Sequence, residues 1–125
     1  MEVIIDEYTE DCMEEVKNLI VELQDSLREF EPEIVSPGMN VRDSYMEFIL
    51  DEVNYKNGKI FIAREQDKTI GFMVVYVDTE ADEDVSFLFV SDVAVSQNHR
   101  GRGVGKKLLA TAEQYAKKVG IEYVR

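Results

Sequence analysis

Basic residues are scarce in this chain: 14 Lys and Arg stand against 26 Asp and Glu, a net charge of −12 over 125 residues. So acidic a chain repels nucleic acid and suits a cationic partner. Cysteine is rarer still. Cys12 stands alone, so no internal disulfide can form, which agrees with a reducing compartment and an expected cytoplasmic location. Its place in the first helix beside an apolar stripe marks it as a small core residue rather than a nucleophile. Histidine occurs once, at His99, and no catalytic Cys–His arrangement follows. No apolar run approaches the roughly 20 residues of a membrane span, and the acidic N-terminus is unlike a secretory signal. Repeats, linkers and low-complexity tracts are missing too. What remains is one soluble domain, 1–125, whose 45% hydrophobic residues suffice for a single core.

The charge that is present is unevenly spread. Residues 97–125 hold seven Lys or Arg against Glu113 and Glu122, a balance of +5, whereas residues 1–96 carry −17. A basic end suits an anionic ligand and the acidic remainder a cationic one, although solvation alone accounts for acidic helix faces equally well.

In chain order, Glu2–Asp6 reads as a short strand. Thr9 is a candidate N-cap, with Glu10 and Asp11 in the first turn, where negative charge suits the helix dipole. Met13, Val16, Ile20, Leu23 and Leu27 step by three and four, which predicts an amphipathic helix over about residues 10–29. Pro32 and Pro37-Gly38 interrupt it. Asn40 can cap a second helix with Val41, Tyr45, Phe48 and Ile49 on one face, ending near Asn57-Gly58. The period then shortens to two. Ile60–Ala63 and Ile70–Val77 predict a hairpin about a tight turn at Gln66-Asp67-Lys68, with Gly71 marking a bulge or a close approach. Asp78–Asp84 reads as a solvated acidic loop. It lacks the glycine and terminal glutamate of an EF-hand, and no metal is expected. Ser86–Val95 is a long strand, Val104, Leu108, Ala112, Tyr115, Ala116 and Val119 give a helix its core stripe, Gly120 can end it, and Ile121–Arg125 begins another strand.

Between that long strand and the last helix lies Arg100-Gly-Arg-Gly-Val-Gly-Lys106. Glycines at a helix mouth let the backbone turn and leave no side chains between the first free N–H groups and an anion. Those donors and the positive end of the dipole suit a phosphate or pyrophosphate. Arg100, Arg102 and Lys106 reinforce the sign. The Walker pattern fails, since Gly105-Lys106 is followed by Lys107 and no glycine precedes it at the required spacing. The dinucleotide fingerprint fails because position 106 is lysine.

What fits is Arg-x-x-Gly-x-Gly, as Arg100, Gly103 and Gly105, directly after a strand. This resembles the acetyl-coenzyme A signature of the GNAT superfamily of N-acetyltransferases. The resemblance extends by element order, β-α-α-β-β-β-α-β, over most of the chain. It implies an α/β fold with a mixed sheet, helices on both faces, and acetyl-CoA as cosubstrate in a cleft between the strands flanking the last helix. Backbone groups of Val93 and Val95 would pair with the pantetheine arm. The N–H groups along Gly101, Arg102, Gly103, Val104, Gly105 and Lys106 would hold the pyrophosphate, with the Arg100 side chain near the phosphates. The implied reaction is direct transfer of acetyl to a primary amine of a small cationic molecule or of a peptide or protein.

An ammonium must lose a proton before it attacks. Asp92, just before the pantetheine-pairing segment, is the candidate base. A strand-end aspartate bonded to its neighbours is the plainer reading; Glu65 is a weaker candidate, and His99 is expected to be exposed. Pockets of such enzymes are shaped by the loop between the first two helices, here Leu27 to Ser44. A complete member continues with a further helix and two strands, so the domain is expected to be truncated at its C-terminus and to associate as a homodimer through the unpaired edge. The alternative function is a catalytically incompetent module that binds acetyl-CoA or another subunit.

Overall fold

The computed structural model describes residues 2–30, 42–80 and 85–124. Strand β1 (Val3–Glu7) leads through a 3-10 turn at Glu10–Cys12 into α1 (Met13–Phe30). Then follow α2 (Arg42–Tyr55), β2 (Lys59–Glu65), β3 (Lys68–Glu80), β4 (Val85–Val95), α3 (Val104–Lys118) and β5 (Tyr123–Val124). The strands lie in sequence order in one sheet. The first four pair antiparallel, whereas β5 pairs parallel to β4. The expected order and the mixed sheet are both found.

Alternation along β2 and β3 sends side chains to two faces, and each face has its own core. On one, Ile60, Ile62, Phe72 and Val74 pack against Val16, Leu19 and Ile20 of α1 and Met46 and Ile49 of α2. On the other, Phe61, Ala63, Met73, Val75 and Leu88 pack against Val104, Leu108, Ala112 and Ala116 of α3. Burying a side chain such as Phe72 or Leu108 completely is worth about 1.5–3 kcal/mol.

Helix ends follow local chemistry. Thr9 begins the 3-10 turn through its carbonyl, which accepts the Cys12 N–H at 3.1 Å; its hydroxyl makes no cap. Asn57, with φ of 52°, ends α2, and the Gly58 N–H donates to Val53 O at 2.8 Å. Gly120 takes φ of 79° after α3, and the Ile121 N–H returns to Ala116 O at 2.8 Å, closing a Schellman motif.

Several expectations are corrected. Phe48 is 56% exposed, and Met46 takes its buried place, because α2 turns Tyr45, Met46, Ile49 and Val53 inward. Val119 is 44% exposed, since it caps α3 rather than continuing its stripe. Asp78, Thr79 and Glu80, expected in an acidic loop, belong to the β3–β4 ladder opposite Phe87, Ser86 and Val85; positions 81–84 of that expected loop lie outside the described residues. The hairpin turn has two residues, Gln66 and Asp67, with Lys68 already paired to Glu65. Pro32, Pro37-Gly38, Asn40 and Val41 lie outside the described residues, as does Arg125 of the last strand.

Two bulges interrupt the pairing. At the first, Ile70 is the extra residue, and a Cβ on neighbouring Gly71 would lie 3.0 Å from Ala94 O, so this glycine does permit a close approach. At the second, Val74 faces Asp92 and Val75 faces Val90, leaving Ser91 as the extra residue of β4. An extra residue reverses the side-chain parity of all that follows. Leu88 and Val90 before it, and Val93 and Val95 after it, therefore share the α3 face. Asp92 and Ala94 turn to the α1–α2 face.

Candidate active site

Beyond Val95 the chain makes a 3-10 turn at Gln97–His99 and enters the glycine turn. Gly101 and Gly103 take φ of 77° and 80°, which costs any L residue with a side chain about 1–2 kcal/mol. Gly103 caps α3. The first bond of the helical ladder runs from the Lys107 N–H to Gly103 O at 3.1 Å, so the N–H groups from Gly103 to Lys106 precede the ladder. Built Cβ atoms on Gly101, Gly103 and Gly105 meet nothing within 4 Å. The mouth of α3 is thus open space lined by backbone donors and the positive end of a 15-residue helix. That geometry fits a pyrophosphate.

The charged side chains around this mouth are partly committed elsewhere. Arg100 folds back, its Nε donating to Val95 O at 3.2 Å, rather than reaching toward the helix mouth. Arg102 donates to Glu65 Oε2 at 2.9 Å, and Lys107 donates to Val3 O. Lys106 is exposed on the first turn. Contrary to expectation, His99 is not exposed: its side chain is 12% accessible, with Nε2 3.8 Å from Glu65 Oε1 and Nδ1 buried without a partner. Glu65 therefore ties the β2–β3 hairpin to the glycine turn. It stands beside the mouth of α3, not beside Asp92.

On its β5 side, β4 is paired only at Phe87 and Leu88. From Phe89 to Val95 that edge has no strand partner among the described residues, and Val93 and Val95 lie along it, above the mouth of α3.

Asp92 lies where the Ser91 bulge turns it toward α2. One carboxylate oxygen accepts the hydroxyl of Tyr45, and the other accepts the Ser91 hydroxyl at 3.0 Å. Burial foremost, then the hydrogen bond to Asp92 and its negative charge, holds the Tyr45 hydroxyl well above its ordinary pKa of 10.0. Tyr45 is a neutral donor at physiological pH. Asp92 lines a cavity of about 290 Å³ between α2 and the strands, with Phe48, Glu52, Lys56, Val74 and Tyr76 among its walls. The structure thus separates the candidates into a glycine mouth on the α3 face and a carboxylate on the α1–α2 face, with β4 between them. Cys12 is buried and donates to Thr9 O at 3.0 Å, a core residue as expected. Among the described residues no group of His, Cys, Asp and Glu could hold a metal.

Tyr45 and Ser91 escaped the sequence reading. Tyr45 sat in an apolar stripe, although a tyrosine hydroxyl carried inward needs a partner. Ser91 broke the apolar run Phe87–Val90, which could have signalled the bulge.

A family model for the acetyltransferase (GNAT) family matches residues 20–125. No curated protein matches the chain significantly. Among solved structures, a ribosomal-protein-alanine N-acetyltransferase from Brucella melitensis biovar Abortus 2308 is similar, with a TM-score of 0.74 and 20% identity over 98% of this chain and 77% of that one. A tetramutant of a Bacillus halodurans protein gives 0.79 and 18% over 97% and 80%. An aminoglycoside acetyltransferase from an uncultured soil metagenomic sample, in complex with sisomicin, gives 0.67 and 23% over 98% and 75%. At such identities the likeness speaks for the fold alone.

Proposed function

Since this chain belongs to the GNAT family of acetyltransferases, we propose that it transfers an acetyl group from acetyl-CoA to a primary amine. The observation that carries the reading is the open mouth of α3 beside the edge of β4 that has no strand partner among the described residues. Acetyl-CoA would supply an activated acetyl thioester, whose C–S bond breaks as the amine nitrogen forms the new C–N bond, with coenzyme A leaving as the thiol. In this proposal the backbone of Gly101, Arg102, Gly103, Val104, Gly105 and Lys106 holds its pyrophosphate, and backbone groups of Val93 and Val95 hold the pantetheine arm. Lys106, exposed on the first turn, adds positive charge beside the phosphates, whereas Arg100 and Arg102 would have to leave Val95 O and Glu65 to do so.

Asp92 is the proposed base. Each of its oxygens accepts one hydroxyl hydrogen and keeps a further lone pair. It attracts the incoming ammonium and takes the proton that must leave before nitrogen can attack. Tyr45 and Ser91 are positioning residues, holding the carboxylate in one orientation at the cavity wall.

The similar structures are named for a ribosomal-protein alanine and an aminoglycoside. Their spread supports no narrower acceptor than a small cationic amine or a peptide or protein amine. We propose further that the enzyme acts in the cytoplasm, with which the free thiol of Cys12 agrees. Exposed Leu109 and Tyr123 would support a homodimer.

The test is a calorimetric titration with acetyl-CoA, with the mass in solution recorded, followed by mass spectrometry of an amine and peptide panel. Binding with acetylated product is expected. Binding without product from any acceptor would overturn the enzyme reading in favour of a binding module; a folded chain that does not bind would overturn the glycine-turn assignment.

A further inference from the structure

The cavity under α2 already contains a cation that belongs to the chain itself. The Lys56 ammonium lies 3.1 Å from Glu52 Oε2 and 4.3 Å from the centre of the Tyr76 ring. A carboxylate and an aromatic face together are the groups that recognise an organic ammonium. An i,i+4 lysine–glutamate pair on a helix surface needs no ligand to explain it, but this pair differs from one. Glu52 Oε2 is itself buried and its partner is the Lys56 ammonium at 3.1 Å, so a cation entering the cavity must compete with Lys56 for that oxygen. Both residues line the cavity, as do Tyr76 and Asp92, and Lys56 is the single cation among the lining residues described. Two carboxylates therefore share one cavity with one resident positive charge.

We propose that Glu52 and Tyr76 form an ammonium subsite in which Lys56 is a placeholder, displaced by the non-reacting ammonium of a dicationic acceptor whose other amine lies toward Asp92. The inference rests on the acetyl-transfer reading and narrows its acceptor to amines with two positive centres. Lys56 makes the site selective. A monocation that must displace it gains one carboxylate contact and releases another cation, whereas a dication can satisfy Glu52 and Asp92 together.

The experiment is equilibrium binding of 1,4-diaminobutane, 1,5-diaminopentane and butylamine to the 125-residue chain without acetyl-CoA. Lys56→Met is expected to bind a diamine about tenfold more tightly than the parent, with butylamine gaining at least as much, so that the preference for the diamine narrows. Adding Glu52→Gln to that variant should abolish the gain. In the parent background Tyr76→Leu should weaken diamine binding while Tyr76→Phe preserves it. Unchanged diamine affinity in Lys56→Met, or equal affinity in the variant that also carries Glu52→Gln, overturns the subsite. So does a diamine affinity indifferent to both Tyr76 changes. The two readings fail separately. Diamine binding as described with no acetylated product sinks acetyl transfer alone, whereas acetylation that does not distinguish parent from Glu52→Gln or diamines from butylamine sinks the subsite alone.

Discussion

Asp92 and Tyr45 are separated by 47 positions and joined by one hydrogen bond. If Asp92 removes the proton from the acceptor, Asp92→Asn keeps the size and loses the base. It is expected to lower kcat by about 10²–10⁴-fold while acetyl-CoA affinity, measured by calorimetry, stays within a small factor. An unchanged pH–rate profile would remove Asp92 from the mechanism. Tyr45 makes a different prediction. Its folded-state pKa is raised, so the folded chain holds this proton more tightly than the unfolded chain does. The resulting stability is complete below the unfolded value of about 10 and is lost as pH rises toward the folded one. Phenolate absorbance should therefore show a late-titrating tyrosine that Tyr45→Phe removes, along with part of the alkaline loss of stability. A titration identical in the two proteins would contradict the buried hydrogen bond.

At the scale of elements, the glycine turn and the β4 bulge do the positioning. Gly103 and Gly105 both face open space, but only Gly103 needs a positive φ. Gly103→Val should lower stability by about 1–2 kcal/mol and, well below its melting temperature, weaken acetyl-CoA binding by at least about tenfold. Gly105→Ala, inside α3, should melt no lower than the parent and can gain up to about 1 kcal/mol. Unchanged affinity in folded Gly103→Val would exclude the mouth of α3 as the phosphate site. The bulge at Ser91 has the other positioning task, because without it Asp92 would point toward α3, away from the cavity under α2.

Over the whole molecule, charge is the property with the longest reach. A net −12 makes the compact state repel itself. Salt shortens the screening length from about 30 Å at 0.01 M to about 10 Å at 0.1 M, so the melting temperature of the unliganded chain should rise across that range. A fall would mean that exposed pairs such as Lys17–Asp43, Arg42–Glu14 and Arg64–Asp6 outweigh the net repulsion.

The order of strands and helices and the glycine mouth were legible in the sequence because they rest on short-range physics, whereas helices on both faces of the sheet were expected only from the family resemblance. Periods of two and of three to four, a glycine before a helix and a glycine after one act within a few residues of themselves. What the fold alone decided depends on which distant segments meet. Tyr45 finds Asp92, Lys56 settles over Tyr76, Glu65 captures Arg102 and shelters His99, and Arg100 turns back to Val95. The parity of β4 also belongs here, since one unpaired residue, visible only against its partner strand, chooses the face on which a carboxylate stands.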